Sequence, residues 1–442
     1  MRLRPSELLS RLNSSYWFVP LVVTLAGVGS AVLLLFLDAR MSLTADGALG
    51  LLLPSSAEGA RALLSAVIGA MITAISVTFS VTIVALTVAA QHFGPRVLNN
   101  FVRQTAAQIV LGTFMATFAY SVLVLGSVRG TGEDPEIPEL AVAGAVVLVV
   151  ASIGALIYYV HYVSTTLQIG EIAAEIARDL RHSVVRLHAG EERTSESEPA
   201  GIPDPPDAAA EIPSVESGYV QRIDYDPIIE LAAAREAVVW MRREPGAFVV
   251  AGAPLALVHP AAACDDRMAG TVRHACVLGR DRTMWHDPEF AVKQLVEVAL
   301  RALSPGVNEP FTATTCIDRL TEGLAVVAAS PPPRAAWRDA AGRPRVYARP
   351  QRFETLLRAG FDPIRIFAGG NPAIYARLFE SIAELVLVAD REHDRQELRH
   401  QSDVIHRAAR SALSDPDDLA YVESRYEHAV RQFGGRAAAT RQ

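Results

Sequence analysis

Apolar and polar positions are distributed unevenly along this chain. Four stretches without a single Asp, Glu, Lys or Arg fill most of residues 1–165: Trp17 to Leu37, Leu63 to Ala90, Ala106 to Val128 and Leu140 to Val163. Each reaches the ~20 residues that a helix needs to cross a hydrocarbon core of roughly 30 Å. His161, close to the end of the fourth, is the one histidine inside them. Four such stretches in succession predict four transmembrane helices. Arginines precede the first, as they precede a signal peptide. Its apolar run is about twice the usual ~7–15-residue signal core, and no small-residue cleavage site follows, so it reads as a retained anchor. Tyr16 and Trp17 at its start, and Tyr158, Tyr159 and Tyr162 at the end of the fourth, fit aromatic anchors in the headgroup layer.

The second stretch is overlong. A helix over residues 63–90 is about 42 Å long at ~1.5 Å per residue, so it must tilt or project beyond the core. Thr73, Ser76, Ser80 and Thr87 share one of its faces. Two explanations stand: close packing of helices through small residues, or the wall of a water-filled path. After it comes HFGPR, in which Phe93, Gly94, Pro95 and Arg96 read as a turn at the membrane interface. Pro95 stops the helix there, and Arg96 is placed to meet lipid phosphates or a carboxylate.

Beyond residue 165 the pattern becomes that of a soluble protein. Ile169, Ile172, Ile176, Leu180 and Val184 recur at three or four, predicting an amphipathic connecting helix over 166–188. Residues 189–213 are polar and proline-rich and read as a flexible linker. The remainder, 214–442, reads as one cytoplasmic α+β domain. Within it, 214–260 alternates in short runs bounded by glycines, with G-x-V-x-x-I and P-G-x-F-V-x-x-G-x-P-L spacings that resemble the barrel-sandwich modules of biotinyl and lipoyl carriers. Residues 288–330 predict a helical hairpin broken at SPGVNEP, with Arg301 and Asp318 flanking the break, placed to pair across it, and Ser304 and Asn308 in the turn as structural residues. PPPRAAWRDAAGRPRVYARP reads as a surface loop with an edge strand. Helices within 372–433 close the chain, one of them starting at Pro416 behind Ser414 or Asp415. The predicted fold class is therefore an integral membrane α-helical domain of four spans plus a cytoplasmic α+β domain holding a small barrel-sandwich-like β module and helical hairpins.

Composition sharpens this in three places. Half of the 442 residues are hydrophobic and mean hydropathy is +0.23, which excludes an ordinary soluble protein. A net charge of -7 excludes nucleic acid as a main partner, since phosphate binding needs a basic field. Lys293 is the only lysine, and no glycine-rich loop precedes it, so neither a phosphate-gripping Walker lysine nor Schiff-base catalysis is expected. The carrier-like module likewise lacks the lysine that a swinging arm needs. Arg2, Arg4, Arg11, Arg96, Arg103, Arg178, Arg181 and Arg186 mark one side of the membrane as basic. By the positive-inside rule both termini are then cytoplasmic.

No catalytic set emerges. Cys264, Cys276 and Cys316 have neither metal-ligand spacing nor an even count, and they read as reduced thiols. His393, Glu397 and His400 share a helical face that offers metal ligands, but without an H-E-x-x-H box they read as an exposed charged face. His286, Asp287 and Asp281 look like loop and helix-cap residues. Neither metal nor cofactor is expected, and an enzyme is not.

The stretch from Leu63 to Leu125 resembles an uncharacterised bacterial family of predicted membrane proteins, domain of unknown function 2254. Phe93, Pro95, Arg96, Phe101, Gln108, Leu111, Gly112, Phe114, Phe118 and Tyr120 carry the likeness. SYWFVP, GYVQRIDYD, EPGAFVVAGAPL and QLVEVALRALSPGVNEPFTATTCIDRL extend it over nearly the whole chain, while Gln104 stands where the family pattern has an acidic residue. The resemblance implies an integral inner-membrane protein and supplies no activity.

Two functions fit these readings. The first is a homo-oligomeric, channel-like or transport protein in the bacterial inner membrane, passing an ion or small solute along the hydroxyl face of the second span, with the cytoplasmic domain assembling or gating it. No carboxylate lies inside the spans, so ion-coupled transport is disfavoured. The second is a membrane-anchored sensor or scaffold that recruits a cytoplasmic partner.

Overall fold

A computed structural model describes residues 17–40, 56–93, 105–129, 137–166, 169–188, 202–284 and 286–439. The chain divides into two compact units, Met1–Gln168 and Ile169–Gln442.

The first unit holds α1 (Phe18–Arg40), α2 (Ala57–Phe93), α3 (Thr105–Ser127) and α4 (Glu139–Thr166). All four are long and apolar enough to cross a membrane. At its C-terminal end α1 presents Asp38, which accepts hydrogen bonds from the backbone N–H groups of Leu140 (3.1 Å) and Ala141 (2.9 Å) and so caps α4. Such a cap contributes about 0.5–2 kcal/mol. At the start of α2, Arg61 donates to the Val128 carbonyl just past α3. The four helices therefore alternate in direction.

Half of the α3 span is buried, against 11% of the α2 span, so α3 is the hub. Close approach to α1 depends on small residues. A Cβ on Gly27 would lie 2.7 Å from that of Ala116, and one on Gly112 would lie 3.0 Å from the Pro20 Cα. Gly144 of α4 leaves room for the buried Tyr120, whose hydroxyl donates to the Ala141 carbonyl at 2.7 Å. On α2 the buried residues are Ala57, Ala60, Leu64, Val67, Met71, Thr78 and Ala85, a seven-residue repeat that forms one straight seam. At 37 residues, α2 is about 55 Å long and exceeds the expected bounds at both ends.

In the second unit, α5 (Ile169–His188) buries Ile172, Ile176, Leu180 and Val184. There follow β1 (Ala210–Pro213), β2 (Gly218–Ile223), α6 (Asp226–Ala234), β3 (Val238–Met241), β4 (Phe248–Val249), β5 (Pro254–His259), α7 (Asp266–Ala275) and β6 (Cys276–Gly279). Then come α8 (Pro288–Ala302), α9 (Pro310–Ala329), β7 (Ala336–Arg338), β8 (Pro344–Tyr347), α10 (Phe353–Phe367), α11 (Pro372–Val388), α12 (Glu392–Ala412) and α13 (Pro416–Ala439). α8 and α9 form the expected hairpin, against which α5 packs. A methyl group on Gly323 of α9 would overlap Leu180 of α5, so the two backbones are held close. Asp415 caps α13, accepting from the Asp417 N–H at 2.8 Å.

Two sheets share one core, built from residues such as Ile212, Val220, Val239, Val258, Met268 and Val346. Their orders are β1-β5-β3-β8-β7 and β4-β2-β6. Three expectations are corrected. Residues 210–213, assigned to the flexible linker, are an edge strand paired antiparallel with β5. The alternation of AEIP places Ile212 fully in the core, and the prolines before it hide that signal. Residues 214–260 are also not a self-contained module: β1, β6, β7 and β8 complete the sheets. β8 lies inside its sheet, parallel to β3 with Val239 opposite Val346 and Trp240 opposite Tyr347, rather than in a surface loop.

Candidate functional site

The hydroxyl face of α2 points away from its seam. Thr73, Ser76, Ser80 and Thr87 are exposed in the single chain, and each donates to the carbonyl four residues back, at 2.8 to 3.1 Å. Ile72, Val77, Ile83 and Val84 are exposed beside them. Packing of α2 within the unit uses other hydroxyls. Thr82 bonds to the Tyr159 hydroxyl at 2.6 Å, and Tyr159 donates to the Thr78 carbonyl at 3.1 Å. Thr117 and Ser152 join α3 to α4 at 2.9 Å. Phe93 ends α2; Gly94, Pro95, Arg96 and Gln104 lie outside the described residues.

In the α8–α9 hairpin, Ser304 donates to the Arg301 carbonyl at 2.7 Å, and its own carbonyl accepts from the Asn308 N–H at 2.9 Å. Asn308 takes a left-handed backbone at φ +50°, one of two non-glycine residues with positive φ among those described. Asp318 is ion-paired with Arg377 of α11, an assignment that sequence spacing missed. Lys293 pairs with Glu289 one turn away at 2.9 Å. Burial pushes the thiols of Cys276 and Cys316 up to about 12, so both are unreactive at neutral pH.

The expected ligand face on α12 is rearranged. His393 and Glu397 meet Glu354 of α10 in place of His400, and the three offer ligand atoms within 4.8 Å of one another. Those atoms already have partners: His393 bonds Glu354, and Arg358 donates to Glu397 at 2.6 Å.

A different constellation forms where β3 and β8 end side by side. Arg242, Arg243 and Glu244 follow β3; Arg349, Gln351 and Arg352 follow β8. Between them lies a groove of about 440 Å³, with Trp240, Tyr347, Glu354 and the segment Ile202–Pro205 also in its walls. A second hollow of about 290 Å³ shares Arg242, Glu244 and Arg349 and adds Arg243. The Trp240 and Tyr347 rings stack at 5.7 Å between centroids, and the indole N–H donates to the Pro203 carbonyl at 2.9 Å.

The two walls are tied together from behind. Asp287, 1% exposed, caps α8 through the Phe290 N–H and accepts a two-pronged bond from Arg282 at 2.7 and 2.9 Å. Gln351 donates to Asp287 at 3.1 Å and to the Pro245 carbonyl at 3.2 Å, and accepts from the Glu289 N–H. Gly246, at φ +89°, is required here twice over: its backbone is left-handed, and a Cβ would overlap the Asp287 carboxylate. Burial raises the Asp287 carboxyl from its ordinary range, with Arg282 pulling it back. Burial also raises Glu244, helped by the charges of Glu289 and Asp287 and opposed by Arg349 and Arg282.

Ion pairing divides the arginines of this unit, and Arg222, Arg267, Arg273 and Arg280 are among others that have no ion pair among the described residues. Elsewhere in this unit Arg235, Arg282, Arg319, Arg345, Arg358, Arg377 and Arg391 each have a carboxylate within 3.0 Å. Arg242, Arg243, Arg349 and Arg352 have no ion pair among the described residues, and the Nε of Arg243 is buried without an acceptor. Sequence reasoning missed this set because its two halves lie over a hundred residues apart. The available signal was two arginines within five residues of the end of each of two strands.

The family model described as Predicted membrane protein (DUF2254) matches residues 13–384. Uncharacterized proteins of Mycobacterium bovis and Mycobacterium tuberculosis are each 30% identical over 428 residues, covering 95% of this chain and 81% of theirs. No solved structure matches the chain.

Proposed function

The chain belongs to the Predicted membrane protein (DUF2254) family, and from that premise we propose that it is a membrane-anchored sensor whose second unit binds a small anion. One observation carries the reading: four arginines without an ion pair among the described residues line two hollows that share residues, Arg242 and Arg349 both of them, Arg352 the larger and Arg243 the smaller, and the walls are tied to each other through Gln351 and Asp287. Unneutralised guanidiniums held on a rigid frame are an anion receptor. The basic placement of Arg2, Arg4, Arg11, Arg178, Arg181 and Arg186 supports a cytoplasmic side for both termini and for this unit, with the inner membrane as the anchor. No step of catalysis is assigned to it.

The test is hydrogen exchange on the full chain in neutral detergent with sulfate, phosphate, citrate and nucleotides offered in turn. Protection of residues 240–247 and 347–355 by at least one anion is expected. Absence of protection by all of them defeats the reading.

A second reading, conduction of an ion or small solute by a homo-oligomer, rests on the exposure of Thr73, Ser76, Ser80 and Thr87. In planar bilayers it requires a current that changes when Ser76 or Ser80 is replaced by tryptophan; an unchanged current, or none, removes it.

A further inference from the structure

Resting on the anion-receptor reading, we infer that the ligand is a soluble phosphate-bearing molecule of nucleotide size, its phosphates at the arginine end and its planar ring toward Trp240 and Tyr347.

Size is the first argument. The larger hollow, about 440 Å³, falls in the ~300–1,000 Å³ class of sites that enclose cofactor-sized ligands, far more than inorganic phosphate or sulfate fills, and the one of about 290 Å³ shares residues with it.

Charge is the second. Around the smaller hollow, Arg242, Arg243 and Arg349 stand against Glu244 alone, so three guanidiniums less one carboxylate leave two positive charges. A phosphomonoester carries about -1.5 to -2 at neutral pH and matches that excess. The planar guanidinium fork also fits phosphate oxygens in pairs. The Nε–H of Arg243 is buried without an acceptor among the described residues.

Polarity is the third. The larger hollow has both aromatic and charged residues in its lining. Trp240 and Tyr347 give it an aromatic wall, and the bond from the indole to the Pro203 carbonyl fixes the orientation of that wall. Asp204 and Glu354 also line it as acceptors, the latter already bonded to His393. A nucleoside supplies what these groups take: a flat ring for the aromatic wall, and hydroxyl or amino donors for the carboxylates. An elongated dicarboxylate offers neither.

Isothermal titration of the full chain in neutral detergent tests the assignment with four probes: adenosine diphosphate, guanosine diphosphate, adenosine and inorganic phosphate. At least one diphosphate is expected to bind roughly tenfold or more tightly than either adenosine or inorganic phosphate. Replacing two exposed guanidiniums, Arg242→Gln with Arg349→Gln, is expected to weaken it by a further factor of roughly ten or more with the thermal midpoint unchanged. If inorganic phosphate binds as well as both diphosphates, the nucleotide class is overturned while the anion receptor stands. If no probe binds and no anion protects the groove, both fall. Vesicles of phosphatidylcholine with and without phosphatidic acid supply the remaining arm. Binding to the phosphatidic acid vesicles that depends on Arg242 and Arg349, without binding of either diphosphate, identifies a lipid headgroup and overturns the soluble ligand.

Discussion

In the membrane-spanning unit, Thr73, Ser76, Ser80 and Thr87 find acceptors on their own helix; in the second unit, Arg242, Arg243, Arg349 and Arg352 have no ion pair among the described residues, and the buried Nε of Arg243 has no acceptor there. The solvent explains the contrast. Hydrocarbon offers no partner to a hydroxyl, so α2 satisfies each at its preceding turn, and a satisfied hydroxyl beside exposed valines and isoleucines is as suited to lipid as to water. Water, by contrast, tolerates an unpaired guanidinium. Arg242 and Arg349 line both hollows, with Arg243 in the smaller and Arg352 in the larger, and none of the four has an ion pair among the described residues. A hydroxyl stripe on a membrane helix is therefore weak evidence of a path, whereas unpaired arginines in a built groove are evidence of a ligand.

The strongest break in this comparison is Asp287→Ala. It removes a buried carboxylate that holds Arg282, caps α8 and receives Gln351, and is expected to cost about 3–5 kcal/mol in denaturant titration of the full chain. A loss near zero would show that the groove's walls do not depend on it. Gly144→Val comes next. The added side chain overlaps the Tyr120 hydroxyl and should cost about 1–3 kcal/mol in detergent-unfolding assays of the membrane unit. Thr82→Val, which severs the bond to Tyr159, should cost roughly 0.6 kcal/mol and no more than about 1.7. Ser76→Ala and Ser80→Ala should be close to neutral by the same assay, because their bonds stay within α2. If they cost more than Thr82→Val, that face is packed and not merely exposed.

The smallest effect is one of pH. Glu244 has a carboxyl raised above its unfolded value, so the folded state holds the proton more tightly. Its contribution to stability is complete below the ordinary carboxylate range and is lost as pH rises through the raised value, with Asp287 acting in the same direction. Glu244→Gln should flatten the fall of the thermal midpoint as pH rises above the ordinary carboxylate range. An unchanged slope would place the coupling elsewhere.

The four spans were legible because length and apolarity alone define them, and the α8–α9 hairpin because Pro305, Gly306 and Pro310 end a helix whatever surrounds it. β1 was not, since a four-residue strand behind Pro203, Pro205 and Pro206 carries too little pattern to outweigh the prolines. β8 was not either, because its parallel partner β3 lies more than a hundred residues earlier and periodicity reports only neighbours. The hydroxyl face of α2 was correctly placed on one side of the helix. Which side, and that Thr78 and Thr82 instead meet Tyr159, depends on tertiary packing. The groove follows the same rule: its arginines acquire meaning only when β3 and β8 align, and Asp318 acquires Arg377 only when α9 meets α11.

α5 and the strand at residues 210–213 decide how this protein can be dissected. The hydrophilic stretch around residue 200 looks like the natural place to cut for a water-soluble fragment. A fragment beginning there would lose Leu180, which fills the space that Gly323 leaves on α9, and one beginning at residue 214 would also lose the outermost strand and the carbonyl that orients Trp240. The severable joint lies at residues 168 and 169, so material for crystallisation or ligand screening should carry α5 onward intact.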